Sequence, residues 1–318
     1  MRILVLGAGG TGGYFGGRLA QAGVDVTFLV RPARAAQLER DGLRIRSPLG
    51  DAQFPVAYVT ADALPALAAQ RPFDLVLLSC KAYDLDSSID AIAPAVGADT
   101  AVLPILNGLL HYAALDARFG AARVLGGLCF ISAMKGEDGE VVHLPSPPSM
   151  TFGERDAAAN GSARTRALAA VCAGASGFGA VRSDAFMQAA WNKFTFLATL
   201  AAATCLMRAS IGRIVEADGG AAFLSALHDE CLAVADFEGH AIPEEAAQHA
   251  RALLTKAGSP VTASMLRDLE SGQDVEALQI VGDLRARAHA AGRAVPHLDA
   301  AWVHLQAYRS RRGTPQTP

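Results

Sequence analysis

Six consecutive residues, Gly7-Ala8-Gly9-Gly10-Thr11-Gly12, limit the folds open to this chain more than any other stretch. They follow the apolar run Ile3–Leu6 and lead into a helix-like segment, Gly12–Ala22. Glycines at this spacing predict the strand–turn–helix that cradles a dinucleotide. Gly7 permits the tight turn, Gly9 lets backbone approach a pyrophosphate, and Gly12 lets helix and strand pack closely. Ala8, Gly10 and Thr11 complete the loop, and the helix start offers free N–H groups and a positive dipole end.

The rest of the first half continues the pattern. Val26–Val30, Leu75–Ser79, Ala101–Leu103 and Val124–Ile131 are short apolar runs of the kind covered on both faces in a parallel sheet. Helix-like segments such as Arg34–Asp41 lie between them, so an α/β, doubly wound parallel sheet is expected. The stretch 141–153, rich in Pro and Ser around Leu144-Pro145-Ser146-Pro147-Pro148-Ser149, reads as a loop or hairpin near the end of the sheet. From Asp184 the strand signal fades. Ala185–Met207, Val215–Glu238, Pro243–Ala257, Val275–Ala291 and Pro296–Arg309 read as helices broken by glycines, with Pro243 and Pro296 at tolerated first-turn positions. The division predicted is 1–183, a nucleotide-binding domain, and 184–318, an all-helical domain. The tail Tyr308–Pro318 reads as a frayed terminus.

Composition narrows the function. A chain of 318 residues has room for about two domains at roughly 150 residues each. Its 28 Lys+Arg against 31 Asp+Glu provide no basic excess for nucleic acid. Mean hydropathy is +0.24, yet the most apolar window, Phe194–Met207, is shorter than the ~20 residues of a membrane span. No signal-peptide pattern follows Met1. Five scattered cysteines without a CxxC exclude a disulfide framework or zinc ribbon and fit a reduced cytosol. A cytoplasmic protein with no membrane or nucleic-acid partner is expected. The eight histidines form no metal-binding spacing, so no metal is expected. His228-Asp229-Glu230 reads as a charged helix surface, and Cys80 as a packed small residue.

Several polar residues stand where α/β folds place function. Strand Val26–Val30 ends in Arg31, with Arg34 three residues on and no acid between them. A guanidinium there suits a ribose 2′-phosphate, which favours NADP(H) over NAD(H). Lys81 and Asn107 each follow a strand's carboxyl end, where ligands of open sheets collect. Lys193 lies among Trp191, Phe194 and Phe196, so it needs a partner or a cleft, and burial moves a lysine's pKa toward values useful for proton transfer. Glu276, opening the helix Val275–Ala291, is a candidate partner.

Taken together, Gly7–Gly12, Ser79-Cys80-Lys81-Ala82, Leu106-Asn107-Gly108, Trp191-Asn192-Lys193-Phe194 and Ser264-Met265-Leu266-Arg267-Asp268 followed by Glu276 resemble the ketopantoate reductase (2-dehydropantoate 2-reductase) family. The resemblance runs over about residues 1 to 300 and implies a Rossmann domain, a helical C-terminal domain and an active site in a cleft. It puts Lys193 on the family's general acid, Glu276 on a substrate-holding carboxylate, Ser264 on a substrate-binding serine and Arg31 on the 2′-phosphate ligand. Lys81 and Asn107 fall on the pair near nicotinamide and substrate. The family commonly carries asparagines one and two turns after the lysine, where this chain has Leu197 and Ala201, and a glutamine where it has Leu106.

The reading is therefore an NADPH-dependent reductase of a small 2-oxo acid, 2-dehydropantoate first among them, in pantothenate biosynthesis. Two rivals stand beside it: a reductase of a less polar 2-oxo acid, which Leu197 and Ala201 make credible, and an NADP(H)-binding sensor without turnover. A homodimer is compatible with this reading.

Overall fold

The computed structural model describes residues 1–313, and a parallel sheet organises its first half. In chain order the strands are β1 (Arg2–Leu6), β2 (Asp25–Leu29), β3 (Leu43–Arg46), β4 (Ala52–Phe54), β5 (Ala57–Val59), β6 (Leu75–Leu78), β7 (Ala101–Pro104), β8 (Gly126–Phe130), β9 (Ala133–Lys135), β10 (Val141–His143), β11 (Ser149–Gly153) and β12 (Gly179–Arg182). The main sheet runs β5-β2-β1-β6-β7, every pair parallel. All four residues of β6 and of β7 are buried, as expected for strands covered on both faces. The chain leaves β1 toward β2 on one side and reaches β6 on the other. The point where strand order reverses, between β1 and β6, is where doubly wound sheets bind ligands.

Helices α1 (Gly10–Gln21), α2 (Pro32–Asp41), α3 (Leu64–Gln70), α4 (Leu85–Ile92), α5 (His111–Phe119) and α6 (Ala163–Ala173) accompany the sheets. Helix α1 is glycine-rich, a composition with poor helix propensity. Packing on both sides explains it. A Cβ at Gly16 would press on Phe28 and Val5 of the main sheet, and one at Gly17 would stand 2.7 Å from Leu43 and Ile45 of a second sheet.

That second sheet, β4-β3-β10-β9, has no counterpart in the sequence reading, because its strands are only three or four residues long. Val124–Ile131 also departs from expectation. It touches the parallel sheet through a single bridge, Val102 to Val124, and then pairs antiparallel with β11 in a third sheet, β12-β11-β8. An apolar run reads the same in either setting, so only pairing partners distinguish the two.

The chain divides into two compact units. The first comprises Met1–Leu106 and His111–Phe186; the second comprises Asn107–Leu110 and the residues from Met187 onward. The second unit is helical: α7 (Phe186–Met207, whose first residue belongs to the first unit), α8 (Ile211–Glu216), α9 (Gly220–Phe237), α10 (Glu244–Leu254), α11 (Ser264–Glu270), α12 (Asp283–Ala290) and α13 (Pro296–Gly313). Long α7 is buried through Ala198, Ala201, Ala202, Ala203 and Cys205. The buried hydroxyls of Thr195, Thr199 and Thr204 donate back to the carbonyls of Trp191, Thr195 and Leu200, so no polar group on that stripe is stranded. No helix among the described residues is long and apolar enough to cross a membrane.

Three sequence expectations change in this unit. Val215–Glu238 is two helices, parted at Gly219, whose φ is +75°. Val275–Ala291 contains a π-helical turn, Leu278–Gly282, ahead of α12. Residues 308–313 continue α13 instead of fraying, and the Tyr308 hydroxyl donates to the Gln273 carbonyl at 2.7 Å; residues 314–318 of the expected tail lie outside the described residues.

Candidate active site

A cleft of about 710 Å3 opens in the first unit, over the carboxyl ends of β1, β2, β5 and β6. Gly7, Ala8, Gly9, Gly10, Thr11, Gly12 and Arg31 all line it. Gly7 takes φ +82°, a conformation that favours glycine. A Cβ on Gly9 would meet nothing within 4 Å, so its bare backbone faces open space. A Cβ on Gly12 would overlap the Ser79 hydroxyl and stand 2.6 Å from the Gly7 carbonyl. The Ser79 hydroxyl donates to the Leu6 carbonyl at 3.2 Å, tying together the chain ends that leave β6 and β1. Gly9 begins α1 without a side-chain cap, which leaves the helix start to an outside acceptor. This donor set fits a dinucleotide.

Arg31 starts α2, and its exposed guanidinium has no hydrogen bond or ion pair among the described residues. Arg34 behaves differently. Its Nε and Nη2 both donate to the Ala8 carbonyl, at 3.2 and 2.9 Å, and its Nη1 donates to Gln37 at 3.2 Å. Burial and the charge of Arg44 lower its pKa from the usual arginine value, with Asp41 opposing them.

The cleft also takes residues that sequence reasoning missed: Thr60 and Asp62 beyond β5, Asp84, Ser87 and Ser88 at and within α4, and Lys135 of β9. Strand β5 is too short to show a periodic signal, so the segment after it carried no marker of a strand end. The Thr60 hydroxyl holds the Asp62 carboxyl below the ordinary aspartate range. Lys81 begins a short 3-10 turn just after β6, half-buried, and is not part of the cleft lining.

In the second unit, three residues singled out separately from sequence form one chain of hydrogen bonds. Lys193 Nζ donates to Asn107 Oδ1 at 3.2 Å, and Asn107 Nδ2 donates to Glu276 Oε2 at 3.5 Å. Lys193 is half-buried on α7, and Glu276, 6% exposed, lies just before the π-helical turn. The Asn107 loop reaches that turn because residue 108 is glycine. Its φ is +77°, and a Cβ there would overlap the Gln279 carbonyl oxygen. A cation, an amide and a carboxylate in series can hold and protonate a carbonyl oxygen while accepting a hydrogen bond from a neighbouring hydroxyl.

Leu197 and Ala201 follow Lys193 at four-residue spacing, so they share its face of α7. Leu197 is half-buried, and Ala201 is fully buried. Ser264 is the first residue of α11, and the preceding Ala263 N–H donates to Thr204 Oγ1 at 3.4 Å. No hydrogen bond among the described residues joins Ser264 to the Lys193–Asn107–Glu276 chain.

His228-Asp229-Glu230 corrects the sequence reading. Asp229 is exposed and paired with Arg251, but His228 is fully buried. Glu230 accepts from the backbone N–H of His297 and of Leu298, at 3.0 and 2.9 Å, and so caps α13. A helix surface reading fails because α9 is enclosed on more than one side.

Known proteins place this chain. Residues 3–157 match the family described as ketopantoate reductase PanE/ApbA, and residues 185–309 match its C-terminal domain. The uncharacterized oxidoreductase YkpB of Bacillus subtilis is 34% identical over 314 residues, covering 98% of this chain and 100% of that one. A 2-dehydropantoate 2-reductase of Halobacterium salinarum is 30% identical over 297 residues, 93% and 95% of the two chains. The crystal structure of a PanE/ApbA family ketopantoate reductase from Ralstonia eutropha superposes with a TM-score of 0.85 at 26% identity, over 99% of this chain and 100% of the other. The chain is an oxidoreductase belonging to the ketopantoate reductase family.

Proposed function

We propose that this protein is an NADPH-dependent reductase of a small 2-oxo acid, with 2-dehydropantoate, reduced to pantoate for pantothenate synthesis, as the first candidate. The observation that carries the reading is the Lys193–Asn107–Glu276 hydrogen-bond chain. The nucleotide cleft supports the cofactor: bare Gly9 backbone for a pyrophosphate, and for a 2′-phosphate the exposed Arg31 guanidinium, which has no partner among the described residues. The first unit is then the NADP-binding domain and the second the substrate domain. Five free cysteines, four of them buried, fit a cytoplasmic setting.

The bound cofactor supplies the hydride that converts the ketone carbon to a secondary alcohol. Lys193 places its cationic Nζ against the carbonyl oxygen, steadies the charge that develops there and gives up a proton to it. Asn107 fixes the direction of the ammonium group through its Oδ1, and Glu276 accepts a hydrogen bond from a substrate hydroxyl. Ser264 binds the far end of the substrate, and Lys81 positions the cofactor ribose. Leu197, half-buried one turn from Lys193, favours a second reading in which the substrate is a 2-oxo acid with a less polar side chain.

The test is a panel of 2-oxo acids, 2-dehydropantoate beside plain alkyl and aryl acids, followed by NADPH absorbance. Turnover of 2-dehydropantoate is expected, and Lys193→Met should lower kcat about 10²–10⁴-fold with the NADPH dissociation constant unchanged. A loss below about tenfold would assign the proton to another group, Lys81 first. Preference for an alkyl or aryl acid would select the second reading, and NADPH binding without any oxidation would make the protein a sensor.

A further inference from the structure

Two arginines enter the nucleotide cleft from the start of α2, and their geometry assigns them different tasks. Arg31 has no partner among the described residues and is exposed. Arg34 has committed Nε and Nη2 to one acceptor, the Ala8 carbonyl, and Nη1 to Gln37. Gly139 closes over this arrangement: a Cβ there would stand 2.7 Å from the Gln37 oxygen and overlap Arg34 Nη1. Such a guanidinium is held in place and is poorly suited to swing out to a ligand.

Its acceptor matters because of what the Ala8–Gly9 peptide does. A trans peptide is planar, so fixing the direction of the Ala8 C=O fixes the opposite direction of the Gly9 N–H. That N–H has no partner among the described residues and lies in the loop ahead of the α1 N-terminus. Among the described residues the hydrogen bonds to the Ala8 carbonyl come from Arg34. Gly9 has open space around its missing Cβ, and glycine tolerates either orientation. A flipped peptide would present a carbonyl oxygen where an amide now stands, and a carbonyl repels the phosphate that an amide attracts.

We infer that Arg34 is a positioning residue that locks the Ala8–Gly9 peptide in the orientation needed for dinucleotide phosphates, so that it sets affinity for NADPH and NADH alike, whereas Arg31 alone reads the 2′-phosphate. This rests on the dinucleotide reading of the cleft. It divides cofactor recognition between two neighbouring arginines that the sequence presents as an equivalent pair.

Fluorescence titration of NADPH and NADH against the unmodified protein, Arg34→Met, Arg34→Lys and Arg31→Met separates the roles, with unliganded unfolding as the control for folding. Arg34→Met should weaken both cofactors equally, by about tenfold or more, leaving their ratio within about twofold of the unmodified protein. Cofactor KM should rise with kcat at saturation preserved, and Arg34→Lys should recover part of the loss by placing one N–H on the carbonyl. Arg31→Met should weaken NADPH alone. A loss in Arg34→Met confined to NADPH would make Arg34 a phosphate ligand and overturn the inference. Unchanged affinity for both cofactors would overturn it as well. An unmodified protein that binds neither dinucleotide would instead overturn the reading of the cleft.

Discussion

Glycines three positions apart carry different duties in the first loop, and one added methyl separates them. At Gly12 a Cβ would overlap the Ser79 hydroxyl and stand 2.6 Å from the Gly7 carbonyl, so Gly12→Ala must push α1 off β1. Overpacking of this kind costs roughly 1–3 kcal/mol, and thermal or denaturant unfolding should register it without any cofactor. At Gly9 the same methyl meets nothing within 4 Å, and φ is −92°. Gly9→Ala should keep the unfolding midpoint of the unliganded protein and lose at least about tenfold in dinucleotide affinity, measured by titration, because the methyl stands where the pyrophosphate would approach. Equal stability losses for the two variants would refute the distinction. The motif announces the glycines, but only the neighbours around each one show which is packed and which faces open space.

Among the elements, the π-helical turn Leu278–Gly282 is the one against which the Asn107 loop rests. The sequence predicts one helix over Val275–Ala291, since an apolar period cannot reveal that one turn is wider. Wider turns of this type recur at functional sites. Here the turn packs through Gly282, where a Cβ would come within 2.6 Å of the Trp302 ring, and its Gln279 carbonyl lies against Gly108. That contact brings Asn107 to Glu276. Gly108→Ala combines positive φ with overlap on a backbone atom, so it should destabilise the fold by about 1–3 kcal/mol and lower kcat more than tenfold. Steady-state kinetics beside a melting curve checks it; undiminished kcat would show that the Asn107 loop tolerates displacement.

At the scale of the whole molecule, burial of one histidine predicts how the fold answers acid. His228 of α9 is fully buried, and neither ring nitrogen has a hydrogen-bond partner among the described residues. Burial, aided by Arg251 and opposed by Asp229, moves its pKa from 6.5 to about 4. The unfolded chain therefore takes up a proton at a higher pH than the folded one. The stabilisation is full above about pH 6.5 and is lost as pH falls toward 4, an effect on the order of 3 kcal/mol. His228→Leu should flatten denaturant stability across that window relative to the unmodified protein. An unchanged pH slope in the variant would assign the acid sensitivity elsewhere.

The sequence by itself determined the parallel α/β sheet, the glycine loop opening α1, the helical second half, and the separate candidacies of Arg31, Lys193, Asn107 and Glu276. These depend on short-range facts: residue spacing, apolar periodicity and the residue at a strand's end. Tertiary structure decided what those facts leave open. It gave Arg34 to a carbonyl 26 positions away, enclosed His228, assembled a second sheet from strands of three or four residues, and drew the run Val124–Ile131 into a third, antiparallel pairing. It also joined Lys193 to Asn107 across 86 positions and Asn107 to Glu276 across 169. A side chain's propensity is local, but its hydrogen-bond partner is chosen by whatever the fold brings within about 3 Å, and local pattern carries no record of that choice.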